Sequence, residues 1–247
     1  MIRVERRDAI AAVVLARPER RNALTPEMLS ELARAITQLG ASAGCVLLCG
    51  QGPTFCSGFD LAACRDSPDG SAMRELLVGL DSAVRALRSC PAPVVVACQG
   101  GAIAGGCALV AGGDFAVADR AAKLGYPVVR LGISPAVSGP TLLPRIGPGA
   151  ARVRMLDPGL IDAAEALRLG LISSVVETPE EVGPAAERLA IELAAKPRAG
   201  MVATKRWLNE LDGTAAADRR ALEVSLGLAG GPEEAELLGA FWARRAT

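Results

Sequence analysis

Two glycine-bearing turns contain residues whose types and spacing could do chemistry. The first reads FCSGFDL from residue 55 to residue 61, and the second reads QGGAIAGGC from residue 99 to residue 107. Main-chain amides in glycine-rich turns can bind anions, as they do in the GxGxxG and GxxxxGK[ST] phosphate-binding motifs. Neither motif occurs in this chain, which argues against dinucleotide and P-loop sites. From the residues alone, the simpler interpretation is two tight turns that need glycine for positive φ angles.

The side chains available for acid–base catalysis are limited, because the 247-residue sequence contains no histidine. This absence excludes Ser-His-Asp and Cys-His catalysis, and it argues against a zinc or non-haem iron site. Acid–base catalysis must therefore come from Asp, Glu, Lys, Tyr, Cys or water. We predict no metal site.

The composition is typical of a globular protein, with 51% hydrophobic and 22% charged residues. The 27 Lys and Arg residues balance 27 Asp and Glu residues, so no excess charge favours nucleic acid or anionic lipid. No apolar run approaches the roughly 18 residues of a membrane span. The charged start at residues 1–7 also lacks the apolar centre of a signal peptide. We expect a cytoplasmic protein with no nucleic-acid or membrane partner.

The cysteines are odd in number and lie mostly in apolar runs, which favours small buried thiols over a disulfide framework. They are Cys45, Cys49, Cys56, Cys64, Cys90, Cys98 and Cys107.

The elements that must position the two turns follow from the hydrophobic pattern. Alternating runs at residues 2–6 and 10–16 predict a β-hairpin, and Thr25-Pro26-Glu27 predicts the start of an amphipathic helix. Short buried strands then alternate with helices: the strands are 45–49, 94–98 and 115–118, and the helices are 76–87 and about 104–111. This alternation predicts an α/β fold with largely parallel pairing.

Helical patterns dominate from about residue 149, with one short strand at 174–176. The predicted helices are 162–169, 179–195, 199–211, 215–228 and 232–245. No low-complexity linker precedes them, so we expect this tail to pack on the core or on a neighbouring subunit.

Six segments resemble, in order, successive signatures of the enoyl-CoA hydratase/isomerase (crotonase) family. They are RPERRNAL at 17–24, FCSGFDL at 55–61, AIAGGCAL at 102–109, LGYPVVRLGISPA at 124–136, AAEALRLGLI at 163–172 and ATKR at 203–206. The resemblance implies a crotonase-like spiral of ββα units at residues 1–190. It also implies a helical C-terminal region at 191–247 that mediates trimerisation, giving a homotrimer or a dimer of trimers.

The chemistry shared by that family is stabilisation of a thioester enolate by two main-chain N–H groups, an oxyanion hole. Carried over by motif, the donors are Phe59 and Gly105. The small residues around them suit close approach of a thioester oxygen, and a helix N-terminus at Gly105 would favour negative charge. The implied substrate is an acyl-CoA thioester. Coenzyme A is then part of the substrate, and no separate cofactor is expected.

The resemblance also implies contacts to substrate and coenzyme A. Ser57 matches a position whose carbonyl accepts a hydrogen bond from the adenine amino group. Gly58, Asp60 and Leu61 belong to the same turn, and Arg20 is a candidate phosphate contact.

Phe241 and Arg244 match a C-terminal aromatic and basic pair that reaches the coenzyme A of an adjacent subunit. An amphipathic helix end with cations favoured by the helix dipole would explain the same residues. Asp60 and Asp114 match largely structural aspartates, which could equally be caps or turn formers. These alternatives stay open at the level of the sequence.

The chain departs from the family pattern at both hydratase glutamates, whose positions are Ala108 and Val128. A positioned general acid–base contributes about 10²–10⁴-fold, so efficient hydration would need a replacement group. The remaining candidates are not strong bases without an activating neighbour; they are Cys107, Tyr126, Ser134 and Ser138.

The leading hypothesis is therefore a crotonase-family acyl-CoA enzyme of the lyase or isomerase type, in which hydration is doubtful. One alternative is a non-catalytic acyl-CoA-binding oligomer subunit, and another is a decarboxylase or thioesterase of the same fold. The family's acyl pocket would lie at about residues 62–80, where nothing specifies the acyl group.

Overall fold

The computed structural model describes residues 1–65, 67 and 69–244, with the main chain alone at 214–218. The strands are β1 (Ile2–Arg7), β2 (Ile10–Leu15), β3 (Cys45–Gly50), β4 (Val94–Cys98), β5 (Gly101–Ile103), β6 (Phe115–Asp119), β7 (Lys123–Gly125), β8 (Ile161–Asp162) and β9 (Ser174–Val176). The α-helices are α1 (Pro26–Gly40), α2 (Ala62–Arg65), α3 (Ser71–Ser89), α4 (Gly105–Gly112), α5 (Gly139–Ile146), α6 (Pro148–Leu156), α7 (Ala163–Leu169), α8 (Pro179–Ala194), α9 (Arg198–Asp212), α10 (Thr214–Leu226) and α11 (Pro232–Ala243).

The main sheet has six strands in the order β1-β2-β3-β4-β6-β9. The predicted hairpin is present, since β1 and β2 pair antiparallel, and every later pairing in this sheet is parallel. The prediction of an α/β fold with largely parallel pairing is confirmed.

Both faces of the main sheet are covered by helices. Val46 and Leu48 on β3 pack in the larger core cluster, whereas Cys45 and Leu47 pack on the opposite face with residues of α8. Burial on both faces explains why these strands read as continuous apolar runs.

A second, small sheet was not predicted from the sequence. It has three strands in the order β5-β7-β8, and none is longer than three residues. Runs this short carry no readable period. Strand β5 lies inside the second glycine-bearing turn, so that turn is part of a sheet and does not simply join a strand to a helix.

The tail helices follow the sequence pattern to within a few residues, but two helices were missed. Both α5 and α6 begin before residue 149, and α5 contains an internal proline, Pro144. Arg245, at the end of the last predicted helix, lies outside the described residues, as do positions 246 and 247 of the predicted C-terminal region.

The predicted boundary at residue 190 falls inside α8, which packs against the main sheet. All seven cysteines are free thiols, and six of them are buried. None of the described helices is long and apolar enough to cross a membrane.

Candidate active site

The two glycine-bearing turns lie side by side and are joined through their main chains. The N–H of Phe55 donates to the carbonyl of Gln99 at 2.8 Å, and the N–H of Ile103 donates to the carbonyl of Cys56 at 3.0 Å. Cys56 also pairs with Ala102 as an isolated parallel bridge. The first turn ends at residue 61 and the second begins at residue 99, and strand β5 brings them together.

A third segment, residues 21–24, fixes the first turn from its other side. Leu24 donates to the Gly58 carbonyl at 2.8 Å, and Asp60 donates back to the Leu24 carbonyl at 2.8 Å. Ser57 donates to the carbonyl of Arg21 at 3.0 Å. The N–H groups of Ser57 and Asp60 are therefore engaged in hydrogen bonds to residues 21–24. The N–H of Phe59, which lies between them, donates to none of these residues.

Glycine is required at the junction for two different reasons. Gly58 has φ +93°, and a Cβ on it would lie 3.0 Å from the carbonyl oxygen of Ile103. At Gly106 the φ angle is ordinary, but a Cβ would lie 2.6 Å from the carbonyl oxygen of Cys56. The prediction of positive φ holds for both turns, since Gly100 and Gly101 in the second turn have φ +66° and +140°. Gly106 is needed for the other reason, because α4 approaches the first turn closely.

Several main-chain N–H groups at this junction have no acceptor among the described residues. They include that of Phe59 and those of the first turn of α4, Gly105, Gly106 and Cys107, as is usual at a helix start. Of these residues, Phe59 and Gly105 border the same small cavity, which we call the inner cavity. A Cβ on Gly105 would lie 3.2 Å from the ring of Phe59. The structure therefore brings together the two residues that sequence reasoning singled out.

The residue before Gly105 holds a strained conformation. Ala104 caps α4 with φ 52° and ψ −113°, a region that residues with a Cβ rarely occupy. Its own N–H donates to the carbonyl of Gly125 at 2.8 Å, which fixes it to β7. Strain of this kind typically costs about 1–3 kcal/mol and persists where the surroundings impose it. Sequence reasoning missed this residue.

The inner cavity is small and carries no carboxylate in its described lining. Its volume is about 20 Å³, and its walls include Leu77, Leu80 and Ile133. That volume holds about one water molecule. Of the two positions of the missing glutamates, Val128 lines the cavity, whereas Ala108 is fully buried within α4 and is not among the lining residues.

The polar side chains near the cavity are weak candidates for a base. Burial raises the pKa of the Cys107 thiol to about 12 and raises the pKa of the Tyr126 hydroxyl well above its usual value. Both groups are therefore protonated at neutral pH and can donate but not accept a proton. Ser134 and Ser138 also line the cavity, and their hydroxyls lack a basic neighbour among its described walls.

Some of the residues predicted to contact coenzyme A have groups free to bind a ligand, and others are engaged within the chain. The Ser57 carbonyl has no donor among the described residues, and the Arg20 side chain is exposed on a short 3₁₀ helix. Leu61 is half-buried against the core. Asp60 instead pairs with Arg17 at 2.9 Å and accepts from the Ala62 N–H, so its carboxylate has a structural role in this chain.

Phe241 and Arg244 lie on α11 and just after it, and α11 packs on the 3₁₀ helix Pro127–Leu131 and on α2 of the same chain. The Phe241 ring meets Trp242 edge-on at 5.3 Å. Their predicted contact with the coenzyme A of an adjacent subunit stays a prediction.

Buried polar side chains that hold the turns were not identified from the sequence. Asn22 is fully buried; it accepts from the N–H of Arg17 and donates to the carbonyls of Gln51 and Thr54. Asp119 likewise accepts from the N–H of Gly100 at 2.6 Å. Asn22 lies within the 17–24 signature, so its motif was the available signal.

Asp114 is structural, which was one of its two open interpretations. Its carboxylate accepts from the Val94 N–H at 2.7 Å and from the Lys205 ammonium at 2.6 Å. This pair joins α9 to the main sheet.

Comparisons with known proteins agree on one family. The enoyl-CoA hydratase/isomerase family model matches residues 5–229. This chain therefore belongs to the enoyl-CoA hydratase/isomerase family.

Individual relatives support that assignment. The chain is 33% identical to a crotonyl-CoA hydratase of Syntrophomonas wolfei, over 84% of this chain and 80% of that protein. It is also 33% identical to the 1,2-epoxyphenylacetyl-CoA isomerase of Escherichia coli, over 82% of this chain and 79% of that protein.

Solved structures agree on the fold. An enoyl-CoA hydratase/isomerase from Xanthobacter autotrophicus superposes with a TM-score of 0.86 at 31% identity, covering 94% of this chain and 89% of that one. One from Mycobacterium paratuberculosis gives 0.88 at 26% identity, covering 97% of each chain. The predicted crotonase-like fold with a helical C-terminal region is confirmed.

Proposed function

We propose that this chain is an acyl-CoA enzyme in which the N–H groups of Phe59 and Gly105 stabilise a thioester enolate. The observation that carries the proposal is that these two amides have no acceptor among the described residues and border one cavity. One donor of this kind is typically worth about 2.7–4 kcal/mol in the transition state. The relatives named for crotonyl-CoA and 1,2-epoxyphenylacetyl-CoA support a thioester substrate.

The walls of the inner cavity argue against efficient hydration. Adding water across a double bond requires a group that takes a proton from water and a group that supplies one to the α-carbon. Val128 offers neither, and the pKa values of Cys107 and Tyr126 are raised by burial so that neither is a base at neutral pH. A double-bond shift also needs a group that takes a proton, and no described side chain of the cavity wall supplies one. We therefore expect the enolate to form by cleavage of a bond between carbon atoms, in a lyase reaction, or by proton transfer to water in an isomerase reaction.

The absence of a carboxylate from the described lining of the inner cavity favours a second candidate reaction, decarboxylation of a malonyl-type thioester. There the bond between the α-carbon and the substrate carboxylate breaks, carbon dioxide leaves, and the electron pair moves to the thioester oxygen. The enolate then takes a proton from water or a neutral donor. This reaction uses the same two amides and needs no protein base.

Substrate binding must enlarge the inner cavity. A thioester carbonyl with its acyl chain exceeds the present volume of about 20 Å³, so side chains of the wall must move. Leu77 and Leu80 on α3 lie in the 62–80 stretch that the resemblance assigns to the acyl pocket.

The experiment that tests the missing carboxylate is crotonyl-CoA hydration by Val128→Glu. We expect slow hydration by the wild type and a rise of about 10²-fold or more in the variant, because a positioned acid–base group contributes about 10²–10⁴-fold. Val128→Gln, which has the same size and no carboxylate, is the matched control and should stay slow. Hydration by the wild type as fast as that of a family hydratase assayed alongside would refute the argument.

Product analysis separates the remaining alternatives. The wild type is incubated with a panel of enoyl-, acyl- and malonyl-CoA thioesters, and products are identified by mass spectrometry while binding is measured by calorimetry. A shifted double bond supports the isomerase, acetyl-CoA from malonyl-CoA supports the decarboxylase, and free coenzyme A indicates a thioesterase. Tight binding with no product on any thioester would favour a non-catalytic subunit.

A further inference from the structure

A second cavity lies between α11 and the segment that leads into α3. Its volume is about 190 Å³, and we call it the outer cavity. Its walls are mostly apolar and include Cys64, Met73, Leu238 and Trp242. A liquid water occupies about 30 Å³, so the outer cavity could hold a short stretch of a ligand.

One buried carboxylate, that of Glu234, borders this cavity, and it is only half satisfied. Glu234 is 3% exposed. Its Oε2 accepts from the N–H of Gly230, the residue before the N-cap Gly231 of α11. Its Oε1 is buried and has no hydrogen-bond partner within the described part of the chain. The indole N–H of Trp242, which borders the same cavity, is also buried without a partner in the described part of the chain. Buried polar atoms without partners are costly, so this free acceptor and this free donor indicate a ligand group that can both donate and accept a hydrogen bond.

The two cavities lie along one helix. Met73 borders the outer cavity, and Leu77 and Leu80, four and seven residues further on, border the inner cavity. Positions at this spacing lie on one face of an α-helix, and Met73 is about 10 Å from Leu80 along the axis at a rise of 1.5 Å per residue. Gly132 follows the 3₁₀ helix that carries Val128, and a Cβ on it would lie 3.0 Å from the main chain of Glu234.

We propose that the outer cavity receives the far end of the acyl group and that Glu234 Oε1 accepts a hydrogen bond from a hydroxyl there; this inference rests on the proposed acyl-CoA function. The substrate class is then an acyl-CoA with a hydroxylated chain. A hydroxyl satisfies the free oxygen, while the rest of the chain lies against the apolar walls.

The two free polar atoms of the outer cavity favour a hydroxyl over an ammonium group. A hydroxyl can donate to Glu234 Oε1 and accept from the Trp242 indole N–H, whereas an ammonium group has donors only.

The test compares matched saturated ligands by calorimetry. Hexanoyl-, octanoyl- and decanoyl-CoA are each titrated against the ω-hydroxy thioester of the same length, into the wild type and into Glu234→Gln. Glutamine can still accept from Gly230, but it presents an NH2 donor where the carboxylate has its second oxygen, so the ω-methoxy thioester of each length, which can only accept, is titrated as well. We expect the wild type to prefer one hydroxylated ligand over its methoxy and plain counterparts by about 10- to 100-fold, the range for a hydrogen bond to a charged group. The variant should lose the preference for hydroxyl over methoxy.

The matched control is Glu233→Gln, an exposed acid in the same helical turn, which should keep the preference. Equal binding of hydroxylated and plain ligands by the wild type would refute the hydroxyl inference while leaving the acyl-CoA function intact, and so would a preference for hydroxyl over methoxy that survives in Glu234→Gln. Failure of every thioester to bind the wild type would refute the proposed function itself, and the inference with it.

A second variant tests the cavity without touching Glu234. Gly239 borders the outer cavity, and a Cβ there would meet nothing within 4 Å. Because Gly239 is exposed and an added side chain has room, Gly239→Phe should fold with its ring at the rim of the cavity. We expect it to weaken binding of the preferred hydroxylated ligand about 10-fold or more and to leave butyryl-CoA binding unchanged, whereas unchanged binding of both ligands would contradict the placement of the acyl chain.

Discussion

Lys205 and Glu234 are both buried charges on the C-terminal helices, and they differ in how completely they are paired. The Lys205 ammonium, 8% exposed, donates to the Asp114 carboxylate at 2.6 Å and to the carbonyls of Ala92 and Leu87 at 3.1 and 3.4 Å. An ammonium has three donors, so all are used. Glu234 has one oxygen engaged and one without a partner in the described residues.

This difference in pairing distinguishes a region that only stabilises the fold from a region that could bind a ligand. Where α9 meets the main sheet, every donor of the buried charge has an acceptor, as expected for a junction that only holds the fold. On the side of the cavities lie a half-paired carboxylate, the Phe59 and Gly105 amides, which have no acceptor in the described part of the chain, and a strained cap at Ala104. Strain and unpaired groups tend to be retained where function requires them.

The largest expected effect in this comparison comes from breaking the satisfied junction. Lys205→Met leaves the Asp114 carboxylate without its cation, and loss of one partner from a buried pair is strongly destabilising. We expect the free energy of unfolding, measured by urea denaturation, to fall by about 3 kcal/mol. Arg206→Met, which removes only an exposed pair with Glu210, should cost about 0.5 kcal/mol or less. If the two variants lowered the free energy of unfolding equally, the buried Lys205–Asp114 pair would not be a special stabilising contact of the fold.

An intermediate effect of opposite sign is expected at the strained cap. Ala104→Gly relieves strain of about 1–3 kcal/mol and adds an unfolded-state entropy cost of about 0.5–1 kcal/mol. The variant should therefore unfold at a higher temperature. Ala108→Gly, inside the same helix with no strain to relieve, should lose about 1 kcal/mol. A lower melting temperature for Ala104→Gly would mean that Ala104 is not strained.

The smallest effect on stability is expected at the half-paired carboxylate. Glu234→Gln keeps an acceptor for Gly230 and removes a buried charge, so its free energy of unfolding should stay within about 1 kcal/mol of the wild type. A loss as large as that of Lys205→Met would show that the second oxygen has a structural partner, and it would place Glu234 with the scaffold.

The sequence predicted the main sheet because its strands are long enough to show a pattern. Residues 45–49 and 94–98 are continuous apolar runs, and the structure buries both of their faces. The small sheet was missed because its strands of two or three residues contain no consecutive β-branched residues, whereas β9, which is equally short, was recognised from two consecutive valines. Helix α5 was missed because Pro144 interrupts its helical pattern.

The candidate site was predictable only in part. Motif matching found Phe59 and Gly105, but their free amides depend on which neighbouring residues take the other hydrogen bonds. Glu234 could not be distinguished from Glu233, since two acids in the first turn of a helix are ordinary. Only the packing of α11 buries one of them and exposes the other.

Helix α3 sets the distance and the relative orientation of the walls that it contributes to the two cavities. Insertion of a single residue between Met73 and Leu77 would rotate one wall by about 100° relative to the other, so that they would no longer share a face. Insertion of four residues would nearly restore the shared face and move the walls about 6 Å further apart. The length of acyl chain that spans the two cavities could therefore change only in steps of about one helical turn.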